Sequence, residues 1–323
     1  MQAPKFWDKK ESKIGKILYP CSLLYAWIVA HRLKHSHPYQ SKIPVICVGN
    51  ISVGGTGKTP VCLALMELLK KQNKSPWFLN HGYKATQQSV LVDTKSHSAL
   101  DVGDEALLLA SSAPTIVDSA RARGTQLAEK LGAPLLIMDD GFQNPSLVKT
   151  FSFIVVDGTK GFGNERVLPA GPLREPIEKG LKRSDALIIV GNDAWGIKNF
   201  LKDHAIDLPI LTGRFVPNKQ DLKKISDLSV SAFAGLGNPQ KFFDMLRVEG
   251  VQLKSTFVFP DHYFYTRFDI EDLKRKTKGE ILVTTSKDWV KIPSEMRNGL
   301  IQITGSFEFD DPDKVLNLLK ESL

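Results

Sequence analysis

The stretch that decides the fold is IPVICVG (43–49), followed by Ser52-Val53-Gly54-Gly55-Thr56-Gly57-Lys58-Thr59 and a helical pattern from Pro60 to Lys71. The apolar, β-rich run predicts a buried strand, and the proline predicts the first turn of a helix. Strand, glycine-rich turn and helix in this order are typical of a phosphate-binding loop (P-loop). The pattern G-x-x-x-x-G-K-[ST] is met except that Ser52 replaces the first glycine. The alternative is an ordinary strand-to-helix turn with an incidental Lys-Thr.

Each part of this loop has a predicted task. The backbone N–H groups of residues 52–59 would surround phosphate oxygens, and the N-terminus of the following helix would add positive potential. Lys58 would neutralise the β- and γ-phosphates of a nucleotide, and the hydroxyl of Thr59 would bind Mg²⁺. The sequence therefore predicts a site for a nucleoside triphosphate with Mg²⁺.

A second predicted strand ends in two carboxylates. PLLIM (134–138) is followed directly by Asp139, Asp140 and Gly141. Because the carboxyl ends of parallel strands share one edge of a sheet, both acids are expected beside the P-loop, where they would hold the metal. The alternative is a strand that ends in a common Asp-Gly turn.

Three further places in the sequence, with five residues, are candidates that residue patterns alone leave open. Asp104 and Glu105 begin a predicted helix, where acids are also ordinary caps. Arg174 and Glu175 lie in a loop rich in glycine and proline (160–180), where they could form a simple surface ion pair. His262 follows a strand in the second half of the chain and could be structural. Phosphoryl transfer nevertheless needs a group that accepts the proton of the attacking hydroxyl, and a His–carboxylate pair suits that task.

The rest of the chain alternates strands with helices, which predicts parallel pairing and an α/β fold. The 323 residues are enough for about two domains. A boundary is expected in residues 212–226, after which the alternation restarts. We therefore expect a P-loop NTPase-like α/β/α domain at 1–212 and a smaller α/β domain at 213–323.

Charge and the N-terminal segment point to an anionic partner. Lys and Arg total 43 against 35 acids, a net charge of +8, which suits a nucleotide, an anionic lipid or a nucleic acid, although no nucleic-acid motif is present. Ile17–Ala30 is an apolar run of fourteen residues. At about 21 Å as a helix it is too short for the roughly 30 Å membrane core. Its basic flanks and aromatic residues fit a helix on a membrane surface, and a core helix fits equally well.

Taken together, the motifs resemble the tetraacyldisaccharide 4′-kinase family, which phosphorylates a lipid A precursor in Gram-negative bacteria. The resemblance covers roughly residues 10 to 292, and the order and spacing of its stretches are more specific than any one of them. The matching stretches are VGNISVGGTGKTP (48–60), HGY (81–83), DVGDEALLLA (101–110), DDGFQ (139–143), GNERVLPAGPLREP (163–176), FAGLGNPQKFF (233–243), FPDHYFYT (259–266) and TTSKDWVK (284–291).

The resemblance implies transfer of the ATP γ-phosphoryl group to the 4′-hydroxyl of a tetraacylated glucosamine disaccharide 1-phosphate. It places the protein peripherally at the cytoplasmic face of the inner membrane, with an N-terminal helix at the membrane interface. It implies that Asp104 is the catalytic acid and is paired with His262. The other implied site residues are Lys58 and Thr59 for phosphates and Mg²⁺, Asp139, Asp140 and Glu175 for the metal and nucleotide, and Glu105, Arg174 and Tyr83 beside them.

The sequence departs from the family pattern at His81, Asn144, Tyr263 and Ser286, which leaves substrate details and rate open. Two other functions remain alternatives. A P-loop GTPase would commonly carry Asn/Thr-Lys-x-Asp, whereas Lys287 and Asp288 are adjacent here. A catalytically degenerate, membrane-associated family member would have lost acids or the histidine that this chain retains.

Overall fold

The computed structural model describes residues 4–226 and 228–322, and two β-sheets organise them. The large sheet has nine strands in the order β13-β8-β7-β6-β1-β5-β2-β4-β3, and the small sheet has four in the order β10-β9-β11-β12. All pairs are parallel except β13 with β8 and β3 with β4. The predicted α/β class with parallel sheets is confirmed.

The strands of the described residues follow the chain in this order: β1 (Val45–Gly49), β2 (Trp77–Asn80), β3 (Val90–Leu91), β4 (Thr115–Val117), β5 (Leu136–Asp139), β6 (Phe151–Asp157), β7 (Ala186–Val190), β8 (Ile210–Pro217), β9 (Ser229–Ala234), β10 (Gln252–Val258), β11 (Ile281–Thr285), β12 (Leu300–Ile303) and β13 (Gly305–Phe309). The helices are α1 (Lys13–Lys34), α2 (Lys58–Lys71), α3 (Ala99–Val102), α4 (Asp104–Ala110), α5 (Arg121–Lys130), α6 (Ile177–Leu181), α7 (Ile197–Asp203), α8 (Lys219–Lys223), α9 (Pro239–Val248), α10 (Arg267–Lys276), α11 (Ser286–Trp289) and α12 (Pro312–Lys320). Short 3-10 helices lie at Lys5–Asp8 and Ser294–Met296.

The core of the large sheet explains the apolar runs in the sequence. All residues of β1, β5 and β6 are buried, because both faces of the sheet are covered. Alternate side chains of β1 enter two apolar clusters, with Val45 and Cys47 on one face and Ile46 and Val48 on the other. Strands buried on both sides read as continuous apolar stretches, which is why IPVICVG and PLLIM were recognisable.

The end of the chain returns to the large sheet. The expected boundary after residue 212 falls inside β8, which pairs with β7 and belongs to that sheet. The last strand, β13, pairs antiparallel with β8. Val315 and Leu319 of α12 join the apolar cluster that contains Ile46 and Val48 of β1. β13 and α12, which were expected in the smaller domain at 213–323, therefore belong with the large sheet. The sequence did not indicate this, because antiparallel pairing between distant segments does not change the alternation of strands and helices.

Helix α1 is longer than the apolar run that suggested it. It begins after Ser12, whose hydroxyl accepts a hydrogen bond from the N–H of Gly15, and it continues through Pro20. Its 22 residues give a length of about 33 Å, so the length argument against a membrane span does not apply to the whole helix. Within the described residues, α1 is the one helix whose length and composition would suffice to cross a membrane.

One face of α1 is docked on the protein and the opposite face is exposed. Ser22 donates to the carbonyl of Val167 at 2.8 Å and accepts from the N–H of Ala170 at 3.0 Å. The exposed apolar side chains of the helix are Ile14, Ile17, Tyr19, Leu23, Leu24, Trp27 and Ile28.

Candidate active site

The P-loop joins β1 to α2 with an open concave side. Gly54 and Gly57 have φ angles of 118° and 94°, which favour glycine, and α2 begins at Lys58. A Cβ atom added to Gly54 or Gly55 would meet no atom within 4 Å. The loop therefore leaves space beside its backbone, as the close approach of phosphate oxygens requires.

The register of the large sheet brings the first predicted carboxylate to this loop. Val48 of β1 pairs with Asp139 at the end of β5. The hydroxyl of Thr59 donates to Oδ2 of Asp139 at 3.0 Å, and the Asn80 amide lies 3.5 Å from the same oxygen. The predicted juxtaposition of Thr59 and Asp139 is present in the structure.

Two buried oxygens at this edge have no hydrogen-bond partner among the described residues: Oδ1 of Asp139 and Oδ1 of Asn50. Burial, followed by the nearby charge of Glu105, raises the pKa of Asp139, since both disfavour its charged form. A buried, unsatisfied carboxylate oxygen beside a hydroxyl fits Mg²⁺, which prefers oxygen ligands and takes one or two carboxylates with substrate phosphates. Among the described residues, no cluster of three His, Cys, Asp or Glu side chains is arranged to hold a metal ion.

The carboxylate of Asp140 lies between Lys58 of the P-loop and Arg174. Its backbone has a φ of 49°, in the left-handed region that non-glycine residues adopt at a cost, typically at functional sites. Lys58 Nζ lies 3.5 Å from its carboxylate, and Arg174 donates to it at 2.9 Å. Burial alone would raise its pKa, but Lys58 and Arg174 outweigh this effect and lower the pKa to about 2. Asp140 is therefore a carboxylate at neutral pH.

Glu175 is linked to Asp140 through other side chains. Its carboxylate is buried and accepts two hydrogen bonds from Arg183, at 2.6 and 2.7 Å, and one from Gln143 at 3.0 Å. Gln143 also accepts a hydrogen bond from Arg174, which reaches Asp140. Side-chain hydrogen bonds thus connect Glu175 to Asp140, while the groups in direct contact with Glu175 are an arginine and an amide.

Asp104 and His262 meet across the two sheets. Asp104 is the first residue of α4 beside the large sheet, and His262 follows β10 of the small sheet with a φ of 58°. The imidazole Nδ1 lies 3.0 Å from both oxygens of Asp104, which is only 3% exposed. Burial would raise the pKa of Asp104, but the hydrogen bond with His262 and the charges of Lys287 and Lys291 lower it. The predicted carboxylate–histidine pair is present in the structure.

Further ion pairs join the sheets around that contact. Lys287 of α11 lies 3.1 Å from Glu105 and 3.4 Å from Asp261. Burial lowers the pKa of Lys287, but Glu105, Asp104 and Asp261 together raise it, so this ammonium stays charged. Lys241 of α9 also pairs with Asp157 at the end of β6 in the large sheet.

The remaining predicted position, Tyr83, lies at the surface of the same region. Its side chain is 53% exposed, and its ring centroid is 4.9 Å from that of His262. Of the four departures from the family pattern, His81 lies within electrostatic range of the site residues Arg121 and Asp140. His81 is exposed, Asn144 accepts hydrogen bonds from Ser146, Tyr263 donates to Asp269, and Ser286 accepts from Gln302.

Several polar residues of the site were not predicted. Arg121 is fully buried and donates to the backbone carbonyls of Asp139 and Asp140, and Asn50 donates to the hydroxyl of Thr56 in the P-loop. Gln143 and Lys287 lie inside stretches that carried the family resemblance, which was a usable signal. Arg121 follows an ordinary strand, and no local pattern distinguishes it.

These features define the class of the protein: a P-loop nucleotide-binding fold with strand-end carboxylates beside its Lys and Thr, as in P-loop kinases. The family model described as tetraacyldisaccharide-1-P 4′-kinase (LpxK) matches residues 14–323. The chain belongs to this kinase family, and the family prediction made from the motifs is confirmed.

Curated relatives and a solved structure agree with this assignment. The chain is 44% identical to the tetraacyldisaccharide 4′-kinase of Paramagnetospirillum magneticum over 317 residues, which are 97% of this chain and 96% of the relative. It is 42% identical to that of Rhodospirillum rubrum over 316 residues, 97% of this chain and 95% of the relative. A crystal structure of LpxK from Aquifex aeolicus, described as an "apo" form in complex with ATP, matches with a TM-score of 0.76 and 28% identity, and covers 96% of this chain and 99% of that one.

Proposed function

We propose that the protein transfers the γ-phosphoryl group of ATP to the 4′-hydroxyl of a tetraacylated glucosamine disaccharide 1-phosphate, in lipid A biosynthesis. The observation that carries the proposal is that two groups of residues lie close together: the charge of Glu105, next to Asp104, acts on Asp139 beside the P-loop, and a Cβ atom added to Gly237 after β9 would lie 3.8 Å from the backbone nitrogen of Gly55. Thr59, Asp139 and Lys58 gather at the P-loop, and His262 reaches Asp104 from the other sheet. The first group suits a nucleotide, and the second suits proton acceptance from an alcohol.

The P-loop would hold the triphosphate. Its backbone N–H groups and the start of α2 face the open side of the loop, where Gly54 and Gly55 leave room. Lys58 would exchange its contact with Asp140 for the β- and γ-phosphates, while Arg174 keeps Asp140 paired. Preorganised positive groups stabilise the charge that develops on phosphate oxygens as the bond loosens.

Thr59, Asp139 and Asp140 would hold Mg²⁺, consistent with the unsatisfied oxygen of Asp139. When bound, the ion supplies positive charge to the phosphate oxygens. Glu175, expected among these residues, would act through Gln143 and Arg174, which lead to Asp140.

Asp104 and His262 would accept the proton of the attacking hydroxyl. Asp104 would orient the hydroxyl and take its proton, and His262 would relay charge within the pair, since Nδ1 contacts both carboxylate oxygens. The two sheets would then belong to two domains that must be together for reaction, with the smaller domain built around β9–β12. Glu105 and Lys287 would hold the domains in that arrangement.

Helix α1 would bind peripherally at the cytoplasmic face of the inner membrane and so bring the active site to the lipid acceptor. Its exposed apolar side chains and its basic ends fit the interface with an anionic leaflet. Ser22 bonds to backbone groups of the loop at Val167 and Ala170, and irregular backbone of that kind is costly in the hydrocarbon core. This contact supports a helix lying at the interface over one spanning the membrane.

The direct test is incubation of the purified protein with Mg-ATP and the lipid disaccharide 1-phosphate in detergent, followed by mass spectrometry. We expect the lipid to gain one phosphate in step with ADP release, and GTP to support the reaction less well. ADP release without a gain of phosphate on the lipid would contradict the proposal.

A further inference from the structure

Lys291 is a buried cation of the small-sheet side that no step above uses. Its side chain has no exposed surface, which is rare for lysine because a buried ammonium is costly unless it is paired. Nζ lies 2.9 Å from Oδ1 of Asp288, 3.3 Å from the carbonyl of Gly235 and 4.0 Å from Oδ2 of Asp104. The lysine therefore stands between a buried aspartate of the small-sheet side and the carboxylate of the Asp104–His262 pair.

The carboxylate of Asp288 has three hydrogen-bond donors besides Lys291. It is completely buried, and it accepts hydrogen bonds from the N–H of Gly235 at 3.0 Å, from the hydroxyl of Tyr265 at 2.9 Å and from the hydroxyl of Thr285 at 2.7 Å. Burial and the charge of Asp288 raise the pKa of Tyr265, so this phenol remains a donor. These three donors hold Asp288 in place independently of Lys291, and the ammonium of Lys291 lies within 4.0 Å of Asp104 as well.

The charged groups around Asp104 differ in their access to solvent. Lys287 is 21% exposed and shares its charge among Glu105, Asp104 and Asp261, whereas the side chain of Lys291 has no exposed surface. An enclosed charge is screened little by salt and keeps a fixed position. Lys287 has the larger effect on the pKa of Asp104, but Lys291 is the cation that solvent does not reach.

We propose that Lys291 is a positioning residue for phosphoryl transfer: a fixed positive charge that holds Asp104 as a carboxylate with both oxygens turned to His262. The proposal rests on the proposed function of the Asp104–His262 pair. Asp288 holds the ammonium in place, and Tyr265 and Thr285 hold Asp288.

The test compares Lys291→Met, which removes the charge, with Asp288→Asn, which leaves the lysine but removes its negative partner. The titration of Asp104 is followed by NMR of ¹³C-labelled aspartate carboxyls. The Asp104 signal is identified as the one that is missing from the spectrum of Asp104→Asn. We expect Lys291→Met to raise the pKa of Asp104 by about one unit or more, and Asp288→Asn to lower it. A role limited to packing would destabilise both variants and move the titration in neither.

Kinetics give the second readout. Lys291→Met should lower kcat by about 10- to 100-fold and move the acidic limb of the pH profile upward, with the KM for ATP within about twofold. Lys254→Met, which removes an exposed lysine of the small sheet that pairs with Glu280, is the matched control and should change neither. An unchanged Asp104 titration in Lys291→Met would overturn the proposal.

If wild-type protein transfers no phosphate, the proposed function fails, but the NMR titration still decides the role of Lys291. Asp288→Asn and Lys291→Arg keep the test open should Lys291→Met not fold.

Discussion

Nδ1 of His262 lies 3.0 Å from both carboxylate oxygens of Asp104, although the two residues are 158 positions apart and belong to different sheets. A residue at the start of a helix beside the large sheet thus shares a hydrogen bond of ordinary length with a loop of the small sheet. His262 holds a left-handed backbone conformation at this point. Such conformations persist where the surroundings enforce them, which is common at functional sites.

Lys58 should be essential for transfer and dispensable for folding. In Lys58→Met we expect kcat/KM for ATP to fall by about 10²- to 10³-fold, because a preorganised positive group at the phosphates is lost. The measurement is initial-rate kinetics with the lipid acceptor. Lys70→Met, on the same helix but with an exposed ammonium that donates to the carbonyl of Ser112, is the control and should keep wild-type rates. Equal losses in both variants would contradict a phosphate role for Lys58.

The ion pair between Glu105 and Lys287 should couple the two sheets. A double-mutant cycle with Glu105→Gln and Lys287→Met should give an interaction free energy of about 0.5–3 kcal/mol, because both side chains are largely buried in one network. Chemical unfolding of the four proteins measures it. Strictly additive effects would mean that the two side chains do not stabilise the contact together.

Exposed apolar residues of α1 should be needed for membrane binding and not for stability. Ile17 and Leu24 are 76% and 59% exposed, so Ile17→Asp and Leu24→Asp should leave the melting temperature nearly unchanged. Each should reduce co-sedimentation with vesicles that contain anionic lipid, because burial of apolar surface at the interface is lost. Leu131→Asp, at an exposed position remote in sequence from α1, is the control. Full vesicle binding by both α1 variants would exclude this helix as the anchor.

Acid should destabilise the fold through Asp140. Its pKa is lowered to about 2 by Lys58 and Arg174 acting against burial, compared with about 3.9 in an unfolded chain. The stabilisation is therefore fully present above about pH 4 and is lost as the pH falls toward 2. Urea unfolding at a series of pH values should show a smaller acid loss in Asp140→Asn than in wild type. Glu271→Gln, which breaks an exposed pair with Arg267, should follow wild type, and identical curves for all three proteins would contradict the assignment.

The local parts of this account could be predicted from the sequence. The P-loop, the strand that ends in Asp139 and the helix that begins at Asp104 each carry their own pattern of apolar and polar residues, because both faces of the central strands are buried. The return of β13 and α12 to the large sheet could not be predicted, since antiparallel pairing with β8 depends on contacts between distant segments. The role of Lys291 could not be predicted either, because a lysine three residues after an aspartate is typical of an exposed ion pair on a helix, and the sequence does not show that it is buried.

The central claim is that the P-loop side holds the nucleotide while His262, from the small-sheet side, completes proton acceptance at Asp104. It is tested most directly by His262→Ala, with Mg-ATP affinity measured by calorimetry and transfer measured in a single turnover by rapid quench. We predict an unchanged affinity for Mg-ATP and a transfer rate lower by about 10²- to 10⁴-fold. A transfer rate close to wild type, or a loss of affinity as large as the loss of rate, would contradict the account.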